Sequence, residues 1–143
     1  LQREQFGRPI AEFQGLQWML ADMSTQLEAA RLMIYSAARS AGSGESPCPD
    51  ATAAAQAKLF ASEMAIKVTN DALQLFGAEG YSRNTPMERI ARDARMFTIG
   101  GGTAQILRTV IATRILDRKF PQSRDGYQNL GGGAKKNTKL KIV

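Results

Sequence analysis

Apolar residues recur at alternating steps of three and four from Phe13 through Leu16, Leu20, Met23, Leu27 and Ala30 to Ile34. Such a stripe marks one face of a helix, and it predicts a helix from about Ile10 to Arg39. Glu12, Gln17, Asp22, Gln26 and Arg31 take much of the other side. The span is long for a globular helix and points to a long bundle rather than a compact α/β domain. Gly, Ser and Pro then punctuate residues 41–50, the composition of a loop. Asp50 stands where it can cap a second helix, from about Ala51 to Phe76. That helix is rich in alanine, with Leu59, Phe60, Met64, Ile66, Val68, Leu73, Leu75 and Phe76 added. Two long antiparallel helices joined by a short loop make a hairpin, and the small residues let a neighbouring backbone come close.

Gly77 sits where a helix C-cap glycine belongs. Thr85-Pro86-Met87-Glu88 reads as the next start, with Thr85 as cap, Pro86 as first helical residue and Glu88 as capping-box partner. This third helix is short and ends near Thr98, where Gly100, Gly101 and Gly102 break it. Thr103 or a neighbour starts a fourth helix, to about Arg118. Leu130-Gly131-Gly132-Gly133 and a lysine-rich end follow without periodicity. No repeat and no strand signal of strength is visible. The fold class expected is all-α, an antiparallel four-helix bundle, with residues 1–120 as the helical domain and 121–143 as a basic, flexible extension.

Composition narrows the function classes. A length of 143 residues suits one domain. No apolar run is long enough to span a bilayer, and the polar start, Leu1-Gln2-Arg3-Glu4-Gln5, is not a signal peptide. A chain without an initial Met reads as a piece of something longer. The single cysteine, Cys48, excludes an internal disulfide and makes a reducing compartment the default. The absence of histidine excludes His-based catalysis and most zinc or iron sites within the chain, so no metal is expected. The net charge of +6 does not imply nucleic acid, because Lys135, Lys136, Lys139 and Lys141 cluster in the terminal segment and the remainder is of mixed sign.

Three clusters carry candidate chemistry. Arg3-Glu4-Gln5-Phe6-Gly7 offers a cation, an amide, an aromatic face and a turn, suited to a phosphate and a planar ring. The plainer reading of the same residues is a surface arginine, a helix-ending glycine and a core phenylalanine. Gln74 to Tyr81 carries two glycines and Ala78 after a helix, which either admits another molecule close to the backbone or is only a turn needing positive φ. Gly100, Gly101 and Gly102 before Thr103 free backbone N–H groups at a positive helix end, a place for an anionic or electron-rich ligand. Arg92 and Asp93, just upstream, read as an ion pair. Trp18 and Tyr35 read as packing residues.

R-x-Q-F-G-x-P-I-x-x-F-Q, then A-K-x-x-A-S-E (Ala57 to Glu63), then Q-x-x-G-x-x-G-Y, then P-x-E-R-x-x-R-D-A, then G-T-x-Q-I occur in that order from Arg3 to Ile106. This series resembles the C-terminal helical domain of acyl-CoA dehydrogenases, lacking the start of the domain's first helix. The resemblance implies FAD as cofactor. It assigns Arg3 to the flavin dinucleotide's pyrophosphate, Gln5 and Phe6 to positions beside it, and Gln14 to the adenosine part. Gln74, Gly77 and Ala78 match a second cofactor-contacting turn, with Ala78 where a second glycine is usual. Thr103 and Gln105 match flavin contacts after the glycine run. Because the family's cofactor bridges two subunits, a homodimer or homotetramer is implied, with Arg3 and Gln74 serving one cofactor and Thr103 another. An acyl-CoA substrate and an electron-transfer flavoprotein or similar acceptor are implied too, in a bacterial cytoplasm or a mitochondrial matrix, the former favoured.

In most of the family the catalytic base is a glutamate at the position of Gly101, preceded by a tyrosine at that of Gly100. Glycine takes no proton, so no catalytic residue is expected here. Gly100, Gly101 and Gly102 become lining of an acyl pocket. The first expectation is a dehydrogenase whose base lies outside this chain, as in the isovaleryl-CoA and long-chain branches. The alternatives are a non-oxidising, desulfinase-like acyl-CoA enzyme with structural flavin, or an inactive helical oligomerisation module. The family's I-A-R arginine falls at Thr113, and Arg114 displaces it by one. The chain alone is expected to be inactive.

Overall fold

The computed structural model describes residues 3–42 and 47–120, so the expected basic extension lies outside the described residues. The chain begins with a two-stranded antiparallel hairpin, β1 (Glu4–Gln5) and β2 (Arg8–Pro9), with Glu4 opposite Pro9 and Gln5 opposite Arg8. Phe6 and Gly7, at φ +54° and +75°, make the two-residue turn, as tight hairpins require. A 3₁₀ turn over Ile10–Glu12 follows. Helix α1 (Gln14–Arg39) therefore starts later than its apolar stripe suggested, because Phe13 is extended, at φ −81° and ψ 117°.

Helix α2 (Ala51–Phe76) is capped as expected: the Asp50 carboxylate accepts the Ala53 N–H at 2.8 Å. The ends of the intervening loop are tied, since the Asp50 N–H donates to Ser40 Oγ at 2.8 Å. A one-turn helix α3 (Ala78–Tyr81), then α4 (Met87–Met96) and α5 (Ala104–Ile115) complete the order. The capping box at Thr85 does not form. The Thr85 hydroxyl donates to the Glu79 carbonyl at 2.8 Å and Glu88 pairs with Arg92, so α4 begins without a side-chain cap.

Helix α2 is the shared partner, packing against α1, α3, α4 and α5. Among the described residues, the buried positions at its seams are small: Ala30 and Ala37 from α1, Ala55, Ala57 and Ser62 from α2 itself, Ala94 from α4 and Ala104 from α5, with Met23 the one large side chain among them. Alanine at these seams lets helix axes approach closely, and the close packing replaces bulky side chains. The α1 seam runs Leu16, Met19, Met23, Gln26, Ala30, Met33, Ala37, an alternation of three and four. Leu20, Leu27 and Ile34 from the expected stripe fall to its flank and are exposed. Trp18 and Tyr35, expected to pack, are 63% and 60% exposed for the same reason: they lie off the α2-facing seam. No described helix is long and apolar enough to cross a membrane.

Candidate functional site

The sequence-derived residues gather at two places along α2. The first is its C-terminal end. Gly77 terminates the helix at φ +60° and ψ −138°, a conformation open to glycine alone, and its N–H bonds back to the Leu73 and Gln74 carbonyls. Two residues beyond Ala78, Gly80 is buried; a Cβ there would lie 2.7 Å from the Leu73 carbonyl oxygen and 2.7 Å from Phe76 Cβ. The N-terminal hairpin folds back onto this end. Arg3 Nη1 donates to the Phe76 carbonyl at 3.0 Å, and a Cβ at Gly77 would sit 3.2 Å from Arg3 Nη2. A cation thus meets the negative end of α2. Its other guanidinium N–H groups have no acceptor among the described residues.

The hairpin's remaining residues are open. Phe6 is 93% exposed, with its ring edge-on to Phe13 at 6.3 Å. Gly7 is a hairpin-turn residue, not a helix end, and Phe6 is no core residue. Of the plain reading, the surface arginine holds, while the helix-ending glycine and the core phenylalanine do not, because a two-residue hairpin turn forms here and projects the ring outward. Arg8 stacks over Phe13, 4.2 Å from the ring centroid. The Gln5 amide donates to the Glu4 carbonyl at 2.7 Å. Gln14 and Gln74 are exposed, without side-chain hydrogen bonds among the described residues.

The second place is the 97–102 loop between α4 and α5. The Ile99 and Gly100 N–H groups bond to the Met96 carbonyl, and Ala104 N–H to the Thr98 carbonyl. Thr103 caps α5, accepting the Ile106 N–H at 3.2 Å, as its sequence position suggested. Lys58, from the N-terminal third of α2, reaches into the loop. Its Nζ donates to the carbonyls of Phe97 at 2.8 Å, Gly100 at 2.7 Å and Gly102 at 2.7 Å. In a trans peptide the C=O and N–H point opposite ways. The Gly101 and Thr103 N–H groups therefore face away from Lys58, and neither they nor that of Gly102 has an acceptor among the described residues. Gly101 itself holds φ +67°, with nothing within 4 Å of where a Cβ would stand.

Beside these amides lies a cleft of about 320 Å³, lined by Glu63, Arg95, Thr98, Thr103, Ala104 and Gln105 among others. Its carboxylate, Glu63, is held by Arg108, whose Nη2 donates to both oxygens at 2.7 Å. The Thr98 hydroxyl, nearly buried, donates to the Arg95 carbonyl at 3.0 Å. The expected Arg92–Asp93 pair is absent: Arg92 bonds Glu88 one turn back at 2.8 Å, the favoured i, i+4 geometry. Arg114 and Thr113 line a separate, wider groove with Asp117 and Arg118. Along α2 the rise from Lys58 to Gln74 is roughly 24 Å. The two clusters are thus distinct within one chain. Among the described residues no group of His, Cys, Asp and Glu side chains is arranged to hold a metal.

Lys58 and Glu63 carry no role in the sequence reading, although both fall inside the A-K-x-x-A-S-E segment. The signal available was a lysine on an otherwise small and apolar helix face, opposite a loop whose glycines leave carbonyls to be satisfied.

Residues 1–116 match the family model described as acyl-CoA dehydrogenase, C-terminal domain. The chain belongs to the acyl-CoA dehydrogenase family. Within that family, it is 68% identical over 134 residues to a 3-sulfinopropanoyl-CoA desulfinase of Advenella mimigardefordensis, a match covering 94% of this chain and 32% of that protein. The chain thus spans about a third of that relative's length. Among solved structures, butyryl-CoA dehydrogenase of Megasphaera elsdenii superposes with a TM-score of 0.75 at 42% identity, over 79% of this chain and 29% of that one. The FAD complex of PigA gives 0.72 at 31% identity, over 79% of this chain and 29% of that one. The acyl-CoA dehydrogenase C-terminal fold accounts for the α1–α2 hairpin with α4 and α5 on it.

Proposed function

We propose that this chain is the C-terminal helical part of a flavoenzyme that removes the sulfino group from 3-sulfinopropanoyl-CoA. The observation that carries the reading is the 97–102 loop: Gly100 and Gly101 put no titratable group where most dehydrogenases of the family carry their base, in a chain 68% identical to a desulfinase. Replacing a carbon-bound sulfino group by hydrogen consumes one water and releases sulfite, without net oxidation of the acyl chain. Such a reaction does not require a base that abstracts an α-proton ahead of hydride transfer.

The residues present fit FAD. The donor set suits a dinucleotide: an exposed guanidinium at Arg3 with unused N–H groups, the free amide of Gln74, and the acceptor-less amide at Thr103, while Gly100, Gly101 and Gly102 line the acyl pocket. When bound, FAD supplies a hydride acceptor in oxidising members of the family. Arg3 offers its charge to the pyrophosphate, with Gln5, Phe6 and Gln14 nearby. Gly77 and Ala78 leave room for close approach, while Thr103 and Gln105 offer polar contacts beside the 320 Å³ cleft. The cation at Arg3 and the amides of the 97–102 loop belong to two cofactor sites of a homodimer or homotetramer, which also covers the exposed Trp18, Leu32 and Tyr35 of α1. The enzyme works in a bacterial cytoplasm.

A second reading, a dehydrogenase with its base outside this chain and an electron-transfer flavoprotein as acceptor, is favoured by the 42% identity to butyryl-CoA dehydrogenase. One experiment separates the two. The full-length protein is purified, its visible spectrum recorded, and 3-sulfinopropanoyl-CoA or butyryl-CoA added without oxygen. Sulfite release from the first and no bleaching by the second is expected. Bleaching by butyryl-CoA without sulfite release would establish the dehydrogenase. A protein with no flavin band would leave only the assembly module.

A further inference from the structure

We propose that Lys58 is the positioning residue of the 97–102 loop, the side chain that aims the loop's free amides at the bound ligand. The inference rests on the reading above for the ligand being flavin. An ammonium has three N–H donors and no acceptor, and here each donor has its own carbonyl, from Phe97, Gly100 and Gly102. No carboxylate lies within ion-pair distance of Lys58 among the described residues, so the cation is committed to the loop. Charge-assisted bonds of this kind are the strong ones.

Apart from the amide bonds of Ile99, Gly100 and Ala104 at its two ends, the loop has little else to define it. Gly100, Gly101 and Gly102 bring no side chains to pack, and a glycine run left to itself samples many backbone states. Fixing the Gly100 and Gly102 carbonyls on one point selects one of these states. It also sends the Gly101 and Thr103 N–H groups to the opposite side. The anchor is firm because Lys58 springs from α2, which α1, α4 and α5 all pack against. Arginine is a poor substitute, since its planar fork does not present three donors converging from one atom.

The test compares Lys58→Met and Lys58→Arg with Lys67→Met, an exposed lysine farther along the same helix, in the full-length protein. Amide hydrogen exchange is followed on flavin-stripped protein at Gly100 and Ala104, the hydrogen-bonded amides that bracket the glycines. Affinity for added FAD and the bound flavin's visible band are then measured. Lys58→Met is expected to speed exchange at both amides by about ten-fold or more, leave the α1–α2 seam as in the parent, weaken FAD binding about ten-fold and shift the band. Lys58→Arg is expected to move the same readouts less, and Lys67→Met not at all. Should Lys58→Met not fold, Lys58→Arg carries the test alone. Unchanged exchange at Gly100 and Ala104 would overturn the proposal. So would exchange rising evenly through all helices, the mark of a merely structural lysine, or faster loop exchange with unaltered FAD affinity. The exchange comparison needs no flavin, so a parent protein without a flavin band would count against the proposed function alone.

Discussion

The 77–81 turn and the 97–102 loop both follow a helix, and both are glycine-rich for opposite reasons. At Gly80 there is no space: the backbone of the preceding turn occupies the place of a Cβ. At Gly101 there is nothing but space, and glycine serves the sign of φ and the absence of a side chain. One turn is set from within by packing. The other is set from a distance by the ammonium of Lys58. A packed turn tolerates almost no substitution, whereas a tethered loop accepts side chains at a modest backbone cost and fails when its tether goes.

The sharpest way to break this contrast is Gly80→Ala. Its methyl group meets a carbonyl oxygen and a helix Cβ, neither of which can swing aside. A loss of about 3 kcal/mol is expected in denaturant titration, and a loss well below that would show the turn is free to shift. Gly77→Ala ranks next, at about 2 kcal/mol from the strained φ and ψ. It also pushes against the Arg3 guanidinium, so FAD affinity falls with stability. Gly101→Glu costs only about 1 kcal/mol, the left-handed penalty for a side chain standing in open space. The variant is expected to fold, and melting with spectral titration checks it. A loss comparable to that of Gly80→Ala would remove the distinction between the two turns.

The smallest effect lies away from both. Lys67 is held above the ordinary lysine range, mainly by the hydrogen bond it donates to Asp71. Desolvation opposes the shift, and the charges of Asp71 and Asp22 add to it. A raised folded-state value means the pair's contribution is present below the ordinary lysine range and fades as pH rises through the raised one. Because the group is exposed, Asp71→Asn is expected to leave the unfolding midpoint at neutral pH unchanged within error.

What could be read in advance divides along the same line. Asp50 and Thr103 were legible as caps because a cap is decided within three residues of sequence. Gly77 was legible as a helix end for a similar reason. The bounds of α2 were legible from Asp50 and Gly77 and the end of α1 from its stripe, but the start of α1 and the buried edge of that stripe were not. Leu16 and Leu20 are equally apolar, and only the position of α2 decides which of them is covered. Lys58 was illegible in role because its carbonyls lie 39 to 44 positions away. Thr85 satisfied a capping pattern, yet α4 starts at Met87 with Pro86 at the cap position, and the Thr85 hydroxyl donates back to the Glu79 carbonyl instead. The opening hairpin escaped because strands of two residues leave no alternation to count.

The bond from Arg3 to the Phe76 carbonyl spans 73 positions of sequence. It fastens the β1–β2 hairpin to the far end of α2, so the hairpin and the two long helices close into a buckled loop. Cutting it with Arg3→Met would release the hairpin from the end of α2, and proteases would meet its turn long before the helices melt.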